Sequence, residues 1–61
     1  MLFVKVITTK DEVVYVNASS IVFYFPYKGH IRIELIDGMT LDAKELSAQE
    51  MSVTDFLHIG N

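Results

Sequence analysis

Apolar and polar residues alternate along most of this chain, with the period of two that belongs to β-strands. Residues 2–9 are rich in β-branched side chains. Leu2, Val4, Val6 and Thr8 fall on one face of this first strand, and Phe3, Lys5 and Ile7 on the other. Lys10-Asp11-Glu12 is a polar break, and residues 13–16 are a second short strand. Asn17-Ala18-Ser19-Ser20 is a turn, since Asn and Ser side chains bond back to the local backbone. Residues 21–25 make a third strand, and Pro26-Tyr27-Lys28-Gly29 reads as a hairpin loop. The clearest strand is 30–36, where Ile31, Ile33 and Leu35 alternate with His30, Arg32 and Glu34. Asp37-Gly38 predicts a type I′ hairpin turn, in which both central residues take positive φ. The returning strand, 39–43, has Met39, Leu41 and Ala43 on one face.

The last third changes character. Residues 44–49 are good helix formers. Ser47-x-x-Glu50 and Ser52-x-x-Asp55 both resemble capping boxes, in which the serine accepts from a backbone donor and the acid reaches back. Val53, Phe56 and Leu57 fall on one helical face, with Gly60 as the stop. The competing reading is an extended strand over 51–59. The expectation is one small β-rich domain over residues 1–61, mainly β: an antiparallel β-meander of four to five strands with a short C-terminal helix. Its core comprises Val4, Val6, Ile21, Phe23, Ile31, Ile33, Leu35 and Leu41.

The third strand is unusual. Ile21, Phe23 and Phe25 alternate with Val22 and Tyr24, so both of its faces are apolar. A half-wet antiparallel strand shows polar residues on one side. Here something must cover both, the C-terminal segment on one face and a second subunit on the other, unless a central position lets the chain wrap the strand by itself. The chain has 61 residues, 51% of them apolar and none cysteine. A domain this small buries only about 60% of its unfolded surface and has no disulfide to add stability. A second copy is the simplest cover, and the expected interface residues are Val22, Tyr24 and Tyr27. The partner is the chain itself, as a homo-oligomer, and another protein beyond it.

Charge narrows the function. The net charge is −3, and it is uneven: residues 1–36 carry +1 and residues 37–61 carry −4. Nucleic-acid binders draw most of their affinity from neutralised phosphates, so nucleic acid is a disfavoured partner. The alternative reading, a nucleic-acid-binding regulator, would use Lys28, Arg32 and Tyr24, with exposed aromatics stacking bases. Catalysis has no anchor, because no nucleophile elbow or glycine-rich phosphate loop is present. His30, Arg32 and Glu34 share a strand face, but a metal needs three or four ligands and no others are spaced to join. No enzyme, cofactor or metal is expected. The start of the chain lacks the basic region of a signal peptide, and the longest uncharged stretch, residues 13–27, is too short to span a membrane. The expected location is cytoplasmic.

Met1-Leu2-Phe3-Val4, Asn17 with Ile21, Ile31-x-Ile33-x-Leu35, Asp37-Gly38 and Glu45 together resemble the FlbD/SwrD family of small flagellar and swarming-motility proteins. The likeness covers about residues 1–46. The family's early glycine turn is here Lys10-Asp11-Glu12, and Pro26-Tyr27 has no clear counterpart in it. Small phage or mobile-element proteins look alike, as does the strand pattern of LytTR-type DNA-binding domains, whose basic recognition loops this chain lacks. The resemblance implies a non-enzymatic bacterial or phage accessory protein acting in the cytoplasm through protein contacts.

Overall fold

Five antiparallel strands form one open sheet, followed by a short helix. A computed structural model describes residues 1–59, apart from the side chain of Phe56. The strands are β1 (Leu2–Thr8), β2 (Val13–Asn17), β3 (Ile21–Tyr27), β4 (His30–Leu35) and β5 (Thr40–Glu50). Helix α1 is Val53–His58, and a 3-10 turn, Ala18–Ser20, joins β2 to β3. Their spatial order is β2-β1-β5-β4-β3. The chain is thus a mainly β domain with one C-terminal helix, as its alternating pattern predicts.

The connection between β2 and β3 shapes the whole sheet. These strands lie on opposite edges, yet only Ala18–Ser20 separate them. In a flat sheet the edges of five strands would stand about 19 Å apart. The four Cα steps from Asn17 to Ile21 reach only about 14 Å. The sheet therefore coils until its edges approach. Asn17 Oδ1 supports the turn by accepting from the Ser19 N–H at 3.0 Å, and the Ile36 N–H donates to the Ser20 carbonyl at 2.9 Å.

The inner face of the coil is the core. Val6, Ile33 and Ala43 are fully buried and Val16 nearly so, with Val4, Val14, Ile21, Ile31, Leu35, Leu41 and Leu46 packed around them. Seven of the eight expected core residues belong to this cluster. The exception is Phe23, which is 47% exposed. A bulge between Ile21 and Phe23 is the reason: Ile21 pairs with Leu35, but Phe23 pairs with Glu34 and Tyr24 with Ile33. The extra residue moves Phe23 to the outer face and carries Tyr24 to the inner one.

A second bulge corrects the reading of 44–49 as helix. Ile7 pairs with Glu45 and Thr8 with Ala43, leaving Lys44 as the inserted residue of β5. The inward positions of β5 therefore run Leu41, Ala43, Leu46, Ala48, opposite Ile33, Ile31, Val6 and Val4. The three-residue step from 43 to 46 imitates helical spacing, but β5 stays extended to Glu50. The second capping box does form. The Asp55 N–H donates to Ser52 Oγ at 3.0 Å and the Ser52 N–H to Asp55 Oδ2 at 3.3 Å. The segment expected as strand in the competing reading is α1 instead. Gly60 and the Phe56 side chain lie outside the described residues.

The two hairpin loops differ from their predicted roles. Lys28-Gly29 is the two-residue loop with both φ positive, +50° and +83°, as a type I′ turn requires. Pro26 and Tyr27 belong to β3 rather than to the loop, and Pro26 is accommodated because β3 is an edge strand. At Asp37-Gly38 only the glycine is left-handed, at +85°. There the Gly38 N–H donates to the Leu35 carbonyl and the Leu35 N–H to the Met39 carbonyl. Together they form a three-residue loop with a glycine bulge. Asp37 Oδ1 accepts from the Met39 N–H at 3.0 Å and holds this loop.

Candidate functional site

Strand β3 is where the sequence and the fold fit least comfortably. It is an edge strand of seven residues, six of them with large apolar or aromatic side chains and the seventh proline. Val22, Phe23 and Tyr24 are 56%, 47% and 64% exposed. Its two faces carry different surfaces.

On the outer face, aromatic rings form a row. Phe23 and Phe25 lie 5.7 Å apart between ring centroids, Phe25 and Tyr27 6.2 Å, and Tyr27 and His30 5.8 Å, the last two edge-to-face. Alternation along β3 aligns Phe23, Phe25 and Tyr27, and the tight loop sets Tyr27 opposite His30. Arg32, opposite Phe25, lays its guanidinium 3.9 Å from the Tyr27 centroid, and the Lys28 ammonium sits 5.3 Å from the same ring. Arg32 also forks onto Asp42 of β5, with Nε at 2.9 Å from Oδ1 and the other nitrogen at 3.3 Å from Oδ2. That hydrogen bond, more than charge proximity, holds the Asp42 carboxyl below its usual range and the guanidinium above its own. The enclosed Nε2 of His30 stands 3.1 Å from Asp42 Oδ1, without the alignment of a hydrogen bond.

On the inner face, Tyr24 borders a groove of about 250 Å³ lined also by Val4, Ile21, Ile33, Leu46, Ser47 and Ala48. β1 and β5 supply one wall, β3 and β4 the other. No charged residue lines it.

The expected interface residues are thus divided. Tyr24 is on the inner face, Tyr27 is half-buried on the outer face beneath Arg32, and Val22 is exposed at the bulge. The residues of the nucleic-acid alternative are divided too: Lys28 and Arg32 attend Tyr27, while Tyr24 points to the opposite side. Glu34 pairs with Phe23 and Thr40 rather than joining His30. Among the described residues, no three His, Cys, Asp or Glu side chains are grouped to hold a metal. Among them, too, no helix is long and apolar enough to cross a membrane. The far wall of the groove, Leu46 and Ala48, escaped the sequence reading. The bulge at Lys44 hides their alternation, and no local signal marks the pairing of β5 with β1.

Comparison with known proteins returns nothing: no family model matches this chain, and neither a curated protein nor a solved structure matches it.

Proposed function

We propose that this protein is a small non-enzymatic interaction module that self-associates through β3 and acts as a cytoplasmic accessory factor. The observation that carries this reading is the exposure of Val22, Phe23 and Tyr24, on both faces of one edge strand. Exposed apolar residues scattered singly are ordinary, but a contiguous run on an edge marks a contact surface or an aggregation hazard. The resemblance of residues 1–46 to the FlbD/SwrD family supports the same non-enzymatic role. Against the nucleic-acid alternative stands the engagement of Arg32 with Asp42 and Tyr27, which occupies the one arginine of the chain.

Sedimentation equilibrium over two decades of concentration tests the proposal. The mean mass is expected to rise from that of one chain toward a fixed multiple. A single-chain mass across the whole range would refute self-association.

A further inference from the structure

The patch around Tyr24 sets a projection beside a hollow. Tyr24 stands largely free of its own chain, and the groove opens next to it. At about 250 Å³ the groove is smaller than the ~300–1,000 Å³ of small-molecule sites. It suits one inserted side chain better than a cofactor. Its lining is apolar except for the hydroxyls of Ser47 and Tyr24. Two copies of a chain carrying −3 can therefore meet here without bringing like charges together.

A two-fold interface places one patch against itself, so the patch must complement its own shape. A surface bearing both a protruding aromatic and a hollow of about one side chain's size meets that condition. Strand-to-strand pairing of two β3 edges is the poorer arrangement. Pro26 has no N–H to donate, and the bulge between Ile21 and Phe23 disrupts the other end of the strand. A standard interface covers about 800 Å² per partner, of which one aromatic anchor supplies about 150–250 Å². The remainder has apolar material at hand in exposed Val22 and in exposed Leu2, two residues along β1 from Val4 on the same face.

We infer that two copies of this chain form a two-fold dimer in which Tyr24 of each enters the groove of the other. The inference rests on the self-association proposed above and specifies its contact.

The test is sedimentation equilibrium of the full chain and three variants. Tyr24→Ala removes the projection, and Ala48→Phe fills the hollow from an exposed position. Each is expected to raise the dimer Kd about tenfold or more, the scale of losing a central aromatic anchor, with far-UV circular dichroism unchanged. Tyr24→Trp keeps the projection in a chain that has no other tryptophan, and its emission is expected to shift to the blue as concentration rises. Should Ala48→Phe fail to fold, the other two variants decide the matter. A wild-type dimer whose Kd is unmoved by Tyr24→Ala, or an indole emission that stays water-like in the dimer, would overturn this contact and leave self-association standing. A wild-type monomer at every concentration would overturn both.

Discussion

Ile33 and Phe23 show how far one inserted residue changes the weight of a side chain. Both lie on neighbouring strands, Ile33 between Arg32 and Glu34 and Phe23 in a wholly apolar run, and alternation alone assigns both to the core. Ile33 is fully enclosed, whereas Phe23 is about half exposed and rests on Phe25. Truncating an enclosed isoleucine to alanine costs about 2–5 kcal/mol, against a total stability of roughly 3–9 kcal/mol for a chain this size. Ile33→Ala is therefore expected to unfold the protein or nearly so. Phe23→Ala is expected to cost only about 1 kcal/mol, the loss of partial burial and one ring contact. Urea denaturation of the two variants checks the contrast. Equal losses would mean that the bulge between Ile21 and Phe23 is misplaced.

At the scale of elements, α1 is held differently from the strands. Each strand is bonded to at least one neighbour along its length, while α1 has six residues and exposes Val53 and Leu57. Isolated helices of that length do not persist in water. Its local support is the reciprocal pair of bonds between Ser52 and Asp55, with Asp55 also favourably placed in the first turn. Ser52→Ala removes one partner of that box, a change usually worth about 0.5–2 kcal/mol. Its expected effect is local: faster amide hydrogen exchange at 53–58, with the melting temperature of the sheet little changed. A fall of the whole protein's melting temperature by many degrees would show that α1 is integral to the core.

For the whole molecule, the Arg32–Asp42 pair gives stability a defined pH dependence. It fastens β4 to β5 where Arg32 and Asp42 face each other, and it is partly open to solvent. The Asp42 pKa is lowered in the folded state, above all by the hydrogen bond from Arg32. The unfolded chain therefore binds a proton at Asp42 more readily than the folded one does. The resulting stabilisation is complete above the ordinary carboxylate range, near pH 4, and is lost as pH falls through the lower folded value. The melting-temperature difference between wild type and Asp42→Asn is expected to shrink as the pH falls below about pH 4. A difference that grows on acidification would contradict this. The Met1 amine with Glu50 and Lys44 with Asp11 are more exposed pairs, of the kind that contributes little.

Local rules were enough to locate β1 to β4 and the start of β5 in the sequence, because a period of two, polar breaks and turn residues act over a few positions; the second half of β5 read as helix. They led to the mainly β, antiparallel architecture, seven of eight core residues and the Ser52–Asp55 cap. They also singled out β3 as apolar on both sides. Tertiary structure decided what depends on partners distant in sequence. The bulges at Lys44 and between Ile21 and Phe23 exist because β5 must match β1 and β3 must match β4 in register. One inserted residue reverses every face beyond it, and nothing local reveals the insertion. The coil that encloses Val6, Ile33 and Ala43 follows from a three-residue link between opposite edges, which has meaning only once the strand order is known. The groove beside Tyr24 arises in the same way: its walls come from residues 4, 21, 33 and 46–48, brought together by pairing alone.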